Sequence, residues 1–270
     1  MKSLLKIEWI KVSRNRIFWF MLAIYVIALI LAFLGLQAML QSTNDQIKES
    51  GLASIPLLPT NIYFFPHIWH NLTFVARFFK VFLAVVMIIL VTNEYSYNTM
   101  RQSLMNGLSR LDLIKLKVFD VIILAAVSTV VVVIFGFITG IIHSSDYSMW
   151  DMLRKMNYVG AYFLMIVGFL SFAMMLSFLI KKPAFTIMIL LVYSYIIELI
   201  PAFKYSDTFG EYLPLRSMNL LIEAPNTPVF EMLNISSASN SIPTSHIAAT
   251  LIYTGLFWSI SYFVIRKRDL

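Results

Sequence analysis

The chain has 270 residues, of which 59% are hydrophobic and only 13% are charged, and its formal net charge is +7. Soluble domains are about 45–50% apolar and about 25% charged, so this composition excludes an ordinary soluble domain and indicates a membrane protein. The absence of cysteine from the sequence also excludes disulfide scaffolds, thiolate zinc sites and cysteine catalysis.

Apolar segments long enough to cross a bilayer recur along the chain. A spanning helix needs roughly 20 predominantly apolar residues. Six segments meet this requirement, at residues 17–36, 68–91, 119–142, 159–180, 184–200 and 247–265. The first has no clear cleavage site after it, so we expect a retained helix rather than a signal peptide. We predict an all-α, polytopic integral membrane protein that forms one transmembrane domain over residues 1–270.

The fourth and fifth segments almost run together. They are separated only by Lys181, Lys182 and Pro183. A lysine at the bilayer centre costs about 2.5–3.5 kcal/mol, and proline breaks a helix interior. We therefore predict a tight hairpin that places both lysines at the cytoplasmic surface.

Basic residues are spread unevenly over the loops. If the N-terminus lies inside, most of the 21 lysines and arginines fall on inside segments. The positive-inside rule then predicts that both termini are cytoplasmic, and it explains the net charge without nucleic acid as a partner. The outside segment at residues 201–246 contains apolar stretches too short to span, such as residues 213–222. These stretches could form re-entrant helices where protein or water meets their backbone.

The inside loop between the second and third spans is short and polar. Leu104 and Leu108 lie one turn apart on one helix face, with Arg101 close by. Gly107 can end this short helix, and Ser109 can cap the next one. The loop is either an amphipathic helix that docks on a soluble partner, or a solvated loop whose arginines only set the topology.

The same loop carries an ordered set of polar residues. They are Glu94, Thr99, Arg101, Ser109, Arg110 and Lys117. This order resembles the signature loop of ABC-2 type transporter permeases, in which a glutamate precedes a Gly-Thr pair, an arginine, a short helix, then Ser-Arg and a lysine. Asn98 stands where glycine is usual, and asparagine tolerates a positive φ better than most residues.

Both ends of the sequence resemble the same family. Residues 8–16 are similar to its amphipathic N-terminal helix, which lies along the inner membrane surface. Phe263, followed by a basic cluster and then Asp269 and Leu270, is similar to the family's usual ending. The resemblance covers the layout of the whole chain but only three short segments in residues.

The resemblance implies the permease subunit of an ATP-binding cassette exporter in the bacterial cytoplasmic (inner) membrane. Such a subunit pairs with a second permease, identical or a sister chain, and with a dimer of ABC ATPase subunits. None of the nine glycines precedes a lysine, so the sequence has no phosphate-binding loop. ATP and Mg²⁺ would therefore bind to the partner, this chain would bind no cofactor, and it would not itself be an enzyme.

The resemblance also assigns parts to particular segments. Residues 1–16 would form the amphipathic interfacial helix, and residues 92–118 would form the cytoplasmic coupling loop that packs on the ATPase. The residues expected to couple this loop to the ATPase are Glu94, Thr99, Arg101, Leu104, Leu108, Arg110 and Lys117.

Two other function classes stay open. A non-transporting subunit of the same fold could transmit force to a motility or secretion machine, and the long outside segments leave room for this role. A membrane-embedded protease or acyltransferase would need a nucleophile or metal cluster at membrane depth. The sequence has no His-Glu-x-x-His motif and no paired glutamates within a span.

Several polar residues at or near the spans have competing interpretations. Arg77 and Lys80, in the outer half of the second span, either line a path for an anionic or lipid-like substrate or snorkel to the outer headgroups, and we favour snorkelling. Glu198 could pair with either cation, but we place it at the interface. Asp120 could cap its helix or pair with a base of the coupling loop.

Two spaced pairs of residues are also open to interpretation. His67 and His70 can share a helix face, but a metal site needs a third ligand and the sequence offers no strong candidate. The aromatic residues around the histidines favour an interfacial belt instead. Gly136 and Gly140 form a GxxxG pair that can pack closely against another element.

Overall fold

A computed structural model describes residues 9–49, 63–144, 148–205, 209–225 and 241–267. Within these ranges the protein is helical, with no β-strand. Residues 9–13 form a short N-terminal helix. The helices that follow are α1 (Arg16–Glu49), α2 (Ile68–Ala76), α3 (Lys80–Ser96), α4 (Thr99–Met105), α5 (Arg110–His143), α6 (Met149–Leu153), α7 (Asn157–Ile180), α8 (Pro183–Val192), α9 (Leu199–Lys204), α10 (Pro214–Asn219) and α11 (Thr244–Lys267).

Six helical stretches of the described chain are long and apolar enough to cross a membrane. They are Arg16–Gln46, Ile68–Ser96, Arg110–His143, Met149–Ile180, Pro183–Pro201 and Thr244–Lys267. The predicted six spans and the all-helical class are confirmed. The orientation of the termini stays a prediction.

The helices extend further than the apolar segments that predicted them. Helix α1 continues to Glu49, beyond the expected end at residue 36, and α5 begins at Arg110, before the expected start at residue 119. No proline or glycine lies between residues 36 and 49. Hydropathy marks only the part of a helix that suits lipid, while caps and helix breakers decide where the helix ends.

The fourth span lies at the centre of the bundle. Its most apolar window is 78% buried inside the protein, against 17% for the fifth span. Helix α7 packs against α3, α5 and α11. Hydroxyl groups pair near its N-terminal end, where Tyr162 lies 2.7 Å from Ser128, which lies 2.6 Å from Tyr25 on α1. The less buried spans therefore present apolar faces outward, where lipid or another membrane chain can cover them.

The predicted break between the fourth and fifth spans and the predicted close packing at the GxxxG pair are confirmed, while the cytoplasmic position of the lysines stays a prediction. Helix α7 ends at Ile180, Lys181 adopts a left-handed conformation with φ of 62°, and Pro183 opens α8 at its first turn. Gly136 packs closely, since a Cβ atom there would lie 2.7 Å from the Trp69 ring. The GxxxG face therefore packs against aromatic side chains of the same chain.

Candidate functional site

The predicted coupling loop, residues 92–118, folds as two helical pieces joined by turns. Asn98 precedes α4 in the left-handed conformation, with φ of 52°, as its place at the usual glycine position suggested. Gly107 has φ of 93°, a conformation that suits glycine, and follows the end of α4. The Ser109 hydroxyl accepts a hydrogen bond from the backbone N–H of Asp112 at 3.1 Å and so caps α5. The predicted turns and cap are confirmed.

Four charged residues meet where this loop joins the bundle, and we call Lys11, Glu94, Lys117 and Asp120 the loop charge cluster. The Lys117 ammonium lies 2.7 Å from a Glu94 oxygen and donates to Asp120 at 3.0 Å. Lys11 also pairs with Glu94. Glu94, Lys117 and Asp120 are 3%, 2% and 4% exposed. Lys117 and both carboxylates are therefore largely out of contact with solvent, whereas the Lys11 side chain is half-exposed.

The loop charge cluster joins three separate parts of the chain. Lys11 belongs to the short N-terminal helix, Glu94 to the last turns of α3, and Lys117 and Asp120 to α5. The Thr99 hydroxyl donates to the Glu94 carbonyl at 3.4 Å, which ties the start of α4 to the same point. Asp120 thus pairs with a base of the loop, the second of the two roles considered for it. Residues 1–8 of the predicted interfacial helix lie outside the described residues.

A cavity of about 450 Å³ lies between the N-terminal helix and the coupling loop. Ile10 and Arg14 line it from one side, and Gln102, Asn106 and Leu108 from the other. The N-terminal helix is therefore held to the loop by the ion pairs at one place while an open groove separates them elsewhere.

Arg110 binds the C-terminal end of another helix, α11. Its guanidinium donates two hydrogen bonds of 2.6 Å, to the carbonyls of Ile265 and Arg266. The last carbonyls of a helix have no partner within that helix, so Arg110 satisfies part of the C-terminal turn of α11. This contact connects the coupling loop with the last span.

The residues in and around α4 differ in exposure. Leu104 packs against the hydrophobic core from α4, and Leu108 packs against it from the turn that follows. The prediction that the two leucines share one helix face is wrong, because α4 ends at Met105. Arg101 is exposed, as are Met105 at 78% and Tyr97 at 72%. Of the expected coupling residues, Leu104 and Leu108 hold the loop to the bundle, whereas Arg101 is exposed on an outward surface together with Tyr97 and Met105. The sequence did not single out Tyr97 or Met105, because their exposure depends on how the loop packs on the bundle.

A second polar site brings the second span together with α10. It contains Arg77 and Lys80 of the span and Arg216 of α10, and we call these three residues the cation cluster. Arg77 donates to the carbonyls of Asn219 at 3.3 Å and Ile222 at 2.6 Å. Lys80 bonds to the side-chain oxygen of Asn219. The expected snorkelling is not seen for either residue, because the segment around α10 folds onto the span and supplies these acceptors.

Helix α10 occupies the apolar stretch predicted within residues 201–246. Leu215 and Met218 are buried, and α10 packs against α11 and α7. Glu198 is also buried and accepts a hydrogen bond from the backbone N–H of Arg216 at 2.5 Å, so it contacts this segment. Glu198 makes no ion pair with Arg77 or Lys80 within the described chain. Residues 226–240 of the predicted segment lie outside the described residues.

The two histidines have ordinary structural surroundings. The His70 ring stacks on Tyr158 with 4.0 Å between centroids and donates to the carbonyl of Glu223 at 2.9 Å. Burial lowers the pKa of His67, and the charges of Lys155 and Arg154 lower it further. In the described part of the chain, no three His, Asp or Glu side chains come together as metal ligands would.

Comparison with known proteins identifies the family of the chain. A search of curated proteins finds no match to the chain. A family model described as ABC-2 family transporter protein matches residues 3–270. The match spans nearly the whole sequence and includes all six spans and the coupling loop. The chain therefore belongs to the ABC-2 transporter family, as a multi-pass membrane permease.

Proposed function

We propose that the protein is the permease subunit of an ATP-binding cassette exporter in the bacterial inner membrane. A separate dimer of ATPase subunits binds ATP and Mg²⁺, and a second permease, identical or a sister chain, completes the membrane pathway. Membership of a family that generally works with an ABC ATPase supports this proposal.

The loop charge cluster is the observation that carries the proposal. It connects the end of α3 with the start of α5 through buried ion pairs, and the half-exposed Lys11 joins the N-terminal helix to the buried Glu94. Separating such a pair leaves an uncompensated buried charge, which costs about 3–5 kcal/mol, so the connection is stiff. Helix α5 has 34 residues and extends roughly 50 Å at 1.5 Å per residue. A push on the loop is therefore transmitted along a helix long enough to cross the bilayer.

In this proposal, one set of residues docks on the ATPase and another set transmits the motion of the ATPase to the membrane helices. Tyr97, Arg101 and Met105 form the outward surface, and aromatic residues, arginine and methionine are enriched at protein interfaces. Glu94, Lys117 and Thr99 pass the motion to the helices. Leu104 and Leu108 hold α4 to the bundle, and Arg110 links the loop to the last span.

Co-expression with the ATPase encoded in the same operon tests both the docking on the ATPase and the transmission of its motion. We expect the two proteins to purify together in mild detergent. Arg101→Glu reverses the charge of the docking face and should abolish co-purification. Glu94→Gln should keep the complex but uncouple ATP hydrolysis, because it weakens the pairs with Lys11 and Lys117. Lys204→Glu is the matched control, an exposed charge reversal outside the loop.

Two results would contradict the proposal. One is an unaltered chain that never purifies with the ATPase, and the other is an Arg101→Glu variant that behaves like Lys204→Glu. A complex that hydrolyses ATP in vesicles yet moves none of the solutes tested would instead indicate the force-transmitting subunit.

A further inference from the structure

A cavity of about 290 Å³ lies against the second span, at the cation cluster. Its walls come from four parts of the chain that are distant in sequence, one of them Phe169 on α7. Arg77 and Lys80 belong to the second span, Ser194 and Tyr195 to a π-helical turn at Tyr193–Ile197, and Arg216 and Asn219 to α10. Lys80 lies roughly 18 Å along the helix from Ile68, where this span begins. The cavity is therefore at membrane depth.

The lining is positively charged. Three of its residues are the cations Arg77, Lys80 and Arg216, and one is the acid Glu223. Arg77 and Lys80 have neutral hydrogen-bond partners, namely backbone carbonyls and an amide. Neither forms an ion pair within the described part of the chain. Cations at membrane depth are costly and commonly mark a ligand or ion site, so the positive potential here calls for an anion.

The π-helical turn adds a hydroxyl group. A serine in a membrane helix usually bonds to the carbonyl one turn earlier. The Ser194 hydroxyl is buried and has no hydrogen-bond partner among the described residues. Single π-helical turns are frequent at functional sites, since they change which side chains face inward. Ser194 can therefore donate to a ligand that enters the cavity.

The rim of the cavity is aromatic. Phe78 is 58% exposed and Tyr195 is 55% exposed, and both line the cavity. Pockets for small molecules commonly measure about 300–1,000 Å³, so this cavity fits a headgroup rather than a complete lipid. An apolar chain attached to that headgroup would continue over the exposed aromatic rings into the bilayer.

We propose that this cavity binds the anionic headgroup, a phosphate or a carboxylate, of an amphiphile whose apolar part lies against Phe78 and Tyr195. Lys80 and Ser194 supply the hydrogen bonds. Only the assignment of this amphiphile as the transported substrate rests on the proposed function. Binding itself needs no ATPase.

Binding measurements on the purified full chain in mild detergent test the inference. The probes are phosphatidylglycerol, phosphatidylcholine and inorganic phosphate. Native mass spectrometry measures how much of each probe is bound to the protein. We expect phosphatidylglycerol to bind about tenfold more tightly than phosphatidylcholine, and inorganic phosphate more weakly than both. Lys80→Met should weaken phosphatidylglycerol binding by about tenfold, because it removes a charged donor.

A second variant separates binding from folding. Leu220→Trp fills the cavity and leaves all three cations in place, so it should also lose the preference for phosphatidylglycerol. The exposed control Lys204→Met should keep it. Thermal unfolding of each variant shows whether it is folded.

Three outcomes would overturn the inference. Equal binding of the two lipids would remove the anionic selectivity, and phosphate binding as tight as phosphatidylglycerol would indicate a free anion. Unchanged binding in Leu220→Trp, with a destabilised Lys80→Met, would mean that the cations only anchor α10. If the lipid result holds but no ATPase purifies with the chain, the proposed function fails and the pocket stands.

Discussion

The two charged sites of the permease use their cations differently. In the loop charge cluster, Lys11 and Lys117 face the carboxylates of Glu94 and Asp120. In the cation cluster, Arg77 and Lys80 bond to backbone carbonyls and an amide. The first arrangement neutralises its charge within the chain, and the second keeps a positive charge beside a cavity.

From this difference we infer a mechanical role for the loop charge cluster and a binding role for the cation cluster. A neutralised buried cluster attracts no ligand, but breaking it is costly, so it can hold helices together under load. Cations with neutral partners hold a segment less strongly and still attract an anion. The comparison therefore predicts a large structural effect at the loop charge cluster and a smaller one at the cation cluster.

Lys117→Met should have the largest effect on stability. It leaves Glu94 and Asp120 buried with one cation fewer, so the free energy of unfolding should fall by about 3–5 kcal/mol. Unfolding in detergent, followed by circular dichroism, measures the change. Lys115→Met is the control, because this neighbouring side chain is 50% exposed, and it should change stability by no more than about 0.5 kcal/mol. Equal losses in both variants would refute the buried network.

Lys80→Met should be less damaging. The change removes a cation from a neutral amide and creates no unpaired carboxylate, so we expect a loss of about 1–3 kcal/mol. The same unfolding measurement gives a direct comparison with Lys117→Met. A loss as large as that of Lys117→Met would show that Lys80 has an acidic partner, and the contrast between the two sites would then disappear.

Arg110→Met should have a local effect. It removes the donor to the carbonyls of Ile265 and Arg266, at a cost of about 1 kcal/mol. Amide hydrogen exchange should quicken in the last turn of α11 and stay unchanged in α7. Uniformly faster exchange in both helices would mean that Arg110 supports the whole bundle instead of one helix end.

Arg101→Glu should have the smallest effect on stability. Its side chain is exposed on α4, so the free energy of unfolding should change by no more than about 0.5 kcal/mol. Co-purification with the ATPase should nevertheless be lost. A variant that unfolds at lower temperature while still purifying with the ATPase would give Arg101 a structural role and remove it from the docking face.

Much of the coupling loop was predictable from local signals. The positive φ of Asn98, the turn at Gly107 and the cap at Ser109 depend on the residue itself and its near neighbours, so the sequence was sufficient. The direction of Leu104 and Leu108 was not predictable in the same way. Their spacing predicted one shared helix face, but α4 ends at Met105 and Leu108 reaches the core from the turn that follows.

The contacts of the cation cluster were also not predictable from the sequence. The sequence placed Arg77 and Lys80 in the second span, and it identified an apolar stretch that became α10. It contained no signal that the two would meet, since the hydrogen bond from Arg77 to Asn219 joins residues 142 positions apart. Snorkelling was the natural expectation for a span without a polar partner, and α10 supplied the partner.

The sequence alone determined the number of spans, the hairpin at Lys181–Pro183 and the turns of the coupling loop. Each of these follows from run length, charge and residue conformation within a few neighbouring positions. Only the tertiary structure decided the pairs, such as Lys11 with Glu94 over 83 positions and Arg110 with Ile265 over 155. Hydropathy records that a helix is apolar but not which helix it packs against, so the partners of buried charges appear only when the bundle is assembled.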